Sequence, residues 1–429
     1  MWNYIRFNIK SNLRRKENMI LILLVIVCEV ALLFTLNTKV PSETPYQQFL
    51  GISTSSVSPS KDAKMYQEFI EFVNSVNQEI EKGNLALKNK DWKTYSQCMV
   101  KVNLASAQWY KISSNMPNDS YFEHYDEIET LRREYGVKDL SKYERIIVQK
   151  SNNDVDMYFS SEQAVRYFDS LLKQNLIPIT YSYVDGASVL LQIARYVFPI
   201  LLPLLIGLLL FQQKERRIKT KKTILTISQM KKKYMRWNLL SDILFILCIV
   251  FIPIFIYMMV LSLMKGVSNF NYPVLYYNPG LFGFTYWDTR GLDEISPVAC
   301  GLTNMIVNQF LSAGMELIPL WKCSVLIGIG VIIQTIFYVC FLNVFSTFIK
   351  NKYLSLVVYL VILGLLSFAS PLKNMQKINT LNPMAYRDMG MNLLGTSYFG
   401  YFAGIVVLGA YCIVMYLVLK WCTRKVHVE

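Results

Sequence analysis

Residues 211–237 read FQQKERRIKTKKTILTISQMKKKYMRW and stand between two apolar spans. Lys214, Arg216, Arg217, Lys219, Lys221, Lys222, Lys231, Lys232, Lys233 and Arg236 face a single acid there, Glu215. A short loop this rich in lysine and arginine stays on the cytoplasmic side of a bilayer, so it sets the sidedness of every other span.

Working outward, the chain of 429 residues is 53% hydrophobic and 17% charged, and its apolar residues come in blocks. That pattern describes an integral membrane protein. The formal net charge of +14 is explained by topology, because the cations sit beside apolar spans and not in a stripe with aromatic platforms. Nucleic acid is therefore not expected as a partner. The eight cysteines include no C-x-x-C, and no disulfide framework or zinc site follows from them. His124 and His427 are the only histidines, which excludes the H-E-x-x-H metal motif. G-x-S-x-G and the phosphate-cradling G-x-x-x-x-G-K-[ST] are missing too, so the chain is not expected to be an enzyme.

Hydropathy and loop charge predict an all-α integral membrane protein with six transmembrane helices, at 19–36, 189–211, 239–264, 323–348, 354–369 and 399–419. Residues 1–18 space Trp2, Ile5, Ile9 and Leu13 as an amphipathic cytoplasmic helix or a basic leader. A large, mainly helical extracellular domain is expected at 37–188, between the first two spans. In it Met65, Phe69, Phe72, Val73, Val76 and Ile80 trace one helix face that Gly83 would stop. Asp91 would cap the next helix, and Ser160-x-x-Gln163 reads as a capping box before Val165 and Phe168. The helix at 121–135 would end at Gly136. Aromatic stripes of this kind are read as core first and as a ligand-facing surface second.

The segment 212–238 is the cytoplasmic loop, 265–322 an extracellular loop, 370–398 a second outer loop with short surface helices, and 420–429 a cytoplasmic tail. Within 265–322, the stretch 298–319 is apolar but broken by Asn304, Asn308, Gln309 and Glu316, which suggests an interfacial or re-entrant helix. Asp288, Arg290, Asp293 and Glu294 read as a solvated turn.

Four polar residues inside spans are candidates for function: Glu29, Arg195, Gln334 and Asn343. Glu29 and Arg195 fall at similar depth, and either pair with each other or face water and snorkel separately. Gln334 and Asn343 can hydrogen-bond across helices or line a path. Gly400-x-x-x-Gly404 offers a small-residue packing face. In the basic loop, Ile224, Leu225, Ile227 and Met230 form an apolar core suited to docking a cytoplasmic partner.

An acid after the second span, a Thr, and an aliphatic-x-Thr string before a basic run together resemble the cytoplasmic coupling segment of ABC-2 type transporter permeases. Glu215, Thr220, Ile224, Thr226, Ser228 and Lys231 carry the match. Leu381-Asn382-Pro383 between the last two spans echoes the family as well. Lys219 stands where the family has Gly, and Ile224 and Ser228 where it has Leu and Pro.

The resemblance implies a permease subunit of an ABC exporter in a bacterial cytoplasmic membrane, multi-pass with both termini cytoplasmic. It implies work with a second permease copy, as homodimer or paralogous heterodimer, and with a separate ABC ATPase that holds the ATP and Mg. No cofactor would bind this chain, and lipids would surround it. The cargo implied is an amphipathic peptide of bacteriocin or antimicrobial type, a lipid or a drug. The alternative reading is a membrane-anchored extracellular ligand sensor or scaffold with a cytoplasmic docking loop. A membrane-bound enzyme ranks third.

Overall fold

The computed structural model describes residues 2–35, 63–113, 124–145, 153–179, 184–225, 234–277, 315–349, 351–369, 380–393 and 400–425. These residues are mostly helical. Four helices are long and apolar enough to cross a membrane, and five spans result if one sharply bent pair is counted as a single crossing. Exposed apolar side chains coat them, including Phe255, Leu263, Phe368 and Val406. Only a hydrocarbon solvent makes a surface of that kind inexpensive.

Helix α1 (Trp2–Leu13) breaks at Arg14 and Arg15 before α2 (Lys16–Thr35). The expected amphipathic start is helical, and it packs against a later span with Ile5 buried.

The helical domain is built from α3 (Ala63–Lys88), α4 (Trp92–Ser113), α5 (Tyr125–Glu134) and α6 (Asn153–Gln174). Phe69, Phe72, Val76 and Ile80 are buried along α3, so the expected stripe is core. Gly83 does not stop that helix. A Cβ there would lie 3.2 Å from the Cys98 Cβ of α4, so the glycine sets how closely the two helices approach. The helix instead ends before Lys90, whose positive φ of 58° turns the chain. Asp91 then caps α4 as expected, accepting from the Thr94 N–H at 3.1 Å, and the Thr94 side chain first and this N–H second hold its carboxyl below the usual range.

Helix α4 is buried nearly all round, between α3 and α6. Ser160-x-x-Gln163 is no cap, because α6 begins seven residues earlier at Asn153. Gln163 is buried, and its amide has no hydrogen-bond partner among the described residues. The periodicity was right and the boundary wrong: burial of the apolar face of α6 outweighs a local start signal. Helix α5 ends in Gly136 at φ 67°, with the N–H groups of Gly136 and Val137 returning to Arg133 O and Arg132 O.

The membrane portion begins with α7 (Val189–Tyr196) and α8 (Phe198–Leu225). It continues with α9 (Tyr234–Lys265), strands β1 (Pro273–Tyr277) and β2 (Met315–Pro319), α10 (Leu320–Phe348) and α11 (Lys352–Ala369). A 3-10 turn (Pro383–Tyr386), the one-turn α12 (Met389–Asn392) and α13 (Tyr401–Lys425) complete it. Helix α10 is the hub, packing on α7, α8, α9, α11, α12 and α13. More than half of its most apolar window is buried, 56%, against 33% or less for the other three candidate spans.

Three expectations need correction. The span expected at 189–211 is two helices meeting at 75°. Pro199 has no N–H to offer the carbonyl of Arg195, and Pro203 repeats the defect one turn on, so the ladder cannot run through Val197 without a break. Pro253, alone within the 32 residues of α9, leaves that helix unbroken.

The helix expected at 298–319 is replaced over 315–319 by β2, antiparallel to β1 with Tyr276 opposite Glu316, so the described fold is not purely α. Residues 298–314, and with them Asp288 to Glu294, lie outside the described residues. Ile318 of β2 is buried, as are Val274, Leu275 and Tyr276 of β1, so the two-stranded ribbon is packed into the fold. Finally, of the outer segment expected at 370–398 to carry short surface helices, the described part, 380–393, is largely buried. Met384, Tyr386, Met389 and Leu393 are buried within the bundle.

Candidate functional site: the break in the second span

The bend at Val197 leaves a gap in helical backbone beside α10, and the segment 380–393 fills it. Asn382 anchors that segment twice. Its Oδ1 accepts from the Met384 N–H at 3.0 Å, and its Nδ2 donates to Leu366 O of α11 at 2.7 Å. This is what the Leu381-Asn382-Pro383 string does: Asn caps a turn whose first position suits Pro. Gln334 of α10 donates from Nε2 to Tyr386 O at 2.6 Å and to Arg387 O at 3.1 Å. The Tyr411 hydroxyl of α13 donates to Leu381 O at 2.9 Å.

Gln334 lies 14 residues from the Phe348 end of α10, roughly 21 Å along the axis. A hydrocarbon core is about 30 Å thick. Non-helical backbone at that depth must satisfy its polar groups from protein, and the three side chains above do so. Two glycines allow the approach. A Cβ on Gly330 would lie 2.6 Å from Met389 Sδ, and one on Gly404 would overlap the Tyr386 ring. Of the small-residue pair at 400 and 404, Gly404 therefore packs on a buried turn.

Of the predicted intramembrane residues, the structure brings Arg195 and Gln334 to this region and leaves the others apart. Arg195 is buried in the last turn of α7, its guanidinium 5.0 Å from the Tyr196 ring centroid and its Cβ next to Gly390. A cation there complements the carbonyl end of the helix. Glu29 is fully buried elsewhere, near Tyr257 of α9, whose hydroxyl donates to Ile26 O at 3.4 Å. Neither Glu29 carboxyl oxygen has a hydrogen-bond partner among the described residues, Arg195 included, so the expected alternative of a Glu29–Arg195 pair is not formed. Similar depth puts them at one level, but their neighbours differ: Tyr257 for Glu29, Tyr196 and Gly390 for Arg195. Asn343 donates to Val339 O of its own helix at 2.8 Å and bridges nothing.

Sequence reasoning missed Gln192, fully buried in α7, and Asp242, buried in the third turn of α9. Both were legible by the rule that singled out Glu29, a polar group inside an apolar run.

The coupling residues divide. Glu215, Thr220 and Ile224 lie on α8, which continues unbroken past the membrane-length portion to Leu225. Thr226, Ser228 and Lys231 lie outside the described residues. Of the apolar core expected in the loop, Ile224 and Leu225 are the last residues of α8, and Ile227 and Met230 lie outside the described residues.

The helical domain is tied to this region through residues 184–189. Asp185 Oδ1 accepts from Ser188 N–H at 2.9 Å, and its Oδ2 accepts from Asn269 Nδ2 at 2.6 Å. Lys265 Nζ donates to Val184 O at 2.7 Å, and Ser324 Oγ to Ala187 O at 3.1 Å. Immediately before β1, Tyr272 OH meets Tyr167 OH of α6 and accepts from the Ile179 N–H. No group of three or more His, Cys, Asp or Glu suited to a metal is found among the described residues. Comparison of the chain with protein-family models, curated proteins and solved structures finds no match.

Proposed function

We propose that this chain is the permease subunit of an ATP-driven ABC exporter, with six spans, cytoplasmic termini and the helical domain outside the cell. In this reading α2 and the bent α7–α8 pair are the first two crossings, and the 212–238 segment docks a separate ABC ATPase. A second permease copy completes the transport path. The chain holds no nucleotide, and ATP and Mg belong to the partner. The cargo is an amphipathic peptide, lipid or drug.

The observation that carries the reading is α8 itself. Its 28 residues span roughly 42 Å against a core of about 30 Å. About two turns or more must project beyond the hydrocarbon, and they carry Glu215 and Thr220. A projecting rigid helix joined to a bend beside buried polar groups is a lever from a cytoplasmic motor to a membrane path.

The test is purification of the tagged chain with the ATPase encoded beside it, followed by ATPase assay with candidate peptides and lipids. Co-purification lost on Glu215→Lys together with Thr220→Lys supports the reading. A chain that purifies alone in mild detergent, with no ATPase bound at any expression level, overturns it. The sensor reading is favoured by one observation, the contacts of Tyr167 and Ile179 with Tyr272 that join the helical domain to the segment before β1.

A further inference from the structure

We propose that the helical domain carries a binding site for a carboxylate borne on a single apolar side chain, as at the C-terminus of a peptide. The site is a cavity of about 260 Å³ between α3, α4 and the turn after α5. Phe72, Val76 and Val102 form an apolar floor, each with 6% or less of its surface exposed. Tyr135 and Gly136 form one wall. Their N–H groups return to Leu131 O and Arg133 O, the Tyr135 hydroxyl donates to Asp169 at 2.9 Å, and Arg132 Nη1 holds the adjacent Val137 O at 3.0 Å. The walls are thus built before a ligand arrives, which lowers the ordering cost of binding.

Charge at the cavity has a definite sense. Lys101 and Lys138 line it against one acid, Glu79. Glu79 Oε1 holds the Lys101 ammonium at 2.9 Å, and its Oε2 is buried, so the carboxylate positions the lysine and offers a ligand little. Lys138 is exposed at the rim. Lys82 adds a further positive charge near Glu79. Two ammonium groups beside an apolar floor suit a carboxylate carried on an apolar group.

Size selects the source. Pockets for drug-sized ligands run from about 300 Å³ upward. This one is smaller and takes one large side chain with its terminal carboxylate, while a long acyl chain would run out into solvent.

The experiment uses the full chain in phosphatidylcholine nanodiscs, with titration calorimetry and no ATPase present. The permease reading and this site therefore fail separately. N-acetyl-L-leucine should bind, and N-acetyl-L-leucinamide, which lacks the charge, should bind at least tenfold more weakly. Lys138→Glu should weaken the acid at least tenfold and leave the unfolding midpoint unchanged, because Lys138 is exposed. Raising salt should weaken the acid and leave the amide unmoved. A pentapeptide ending in a free leucine should bind more tightly than octanoate. Equal affinity for acid and amide, or an unaltered Lys138→Glu, overturns the site. Tighter binding of octanoate overturns the peptide assignment.

Discussion

Gln334 and Asn343 are both amides in α10, and the structure gives them opposite weights. Gln334 satisfies two carbonyls of a non-helical segment inside the bundle. Gln334→Leu leaves both unpaired, and we expect a loss of about 1–3 kcal/mol. Asn343→Leu removes a bond to a carbonyl that keeps its helical partner, and we expect less than about 1 kcal/mol. Chemical unfolding in nanodiscs ranks the two, and equal losses contradict the assignment. Glu29 and Arg195 make no contact, so a double-mutant cycle with Glu29→Gln and Arg195→Gln should give a coupling below about 0.5 kcal/mol. A larger coupling would restore the pair.

Cys98, also at the residue scale, is buried against Gly83 and beside Glu79. Burial first, and then the Glu79 carboxylate, push its thiol up to about 11. The folded state therefore prefers the neutral thiol more than the unfolded chain does. This contribution is fully present below pH 9, the ordinary thiol value, and fades as pH rises through 11. The unfolding midpoint should fall more steeply between pH 9 and 11 than in Cys98→Ala. Parallel curves count against the claim.

At the scale of elements, the decisive contact is between the 383–386 turn and α13. Gly404→Leu forces a side chain into the space of the Tyr386 ring, and we expect a cost of about 1–3 kcal/mol. Gly409→Ala, in the same helix, meets nothing within 4 Å and should be neutral or slightly stabilising. Thermal unfolding of the two variants tests whether the segment is seated in the bundle. If Gly404→Leu is silent, the buried placement of 380–393 is wrong.

At the scale of the whole molecule, the permease reading requires the cavity and the basic run to lie on opposite sides of the membrane. In a background free of native cysteines, Lys138→Cys should react with an impermeant maleimide on intact cells. Thr226→Cys should react only after permeabilisation. Labelling of Thr226→Cys from outside would reverse the topology and remove the coupling role of the loop.

Much of this architecture was legible because it follows from local periodicity and charge. Apolar runs of 18 residues or more identify most of the membrane helices, the 3.6-residue spacing of Phe69, Phe72, Val76 and Ile80 identifies a core face, and Asp91 identifies a cap. These are free energies of solvent transfer and backbone capping that each segment feels alone. What tertiary structure decided is where partners are non-local. Ser160 offered a start signal that the helix ignored, and α6 as a whole packs along α4. Residues 380–393 looked like a surface loop because nothing in their own sequence reveals the amide of Gln334, some fifty residues earlier. Depth along a span can be counted from a sequence, but azimuth around the bundle cannot, and this separates Glu29 from Arg195 while bringing Arg195 beside Gly390.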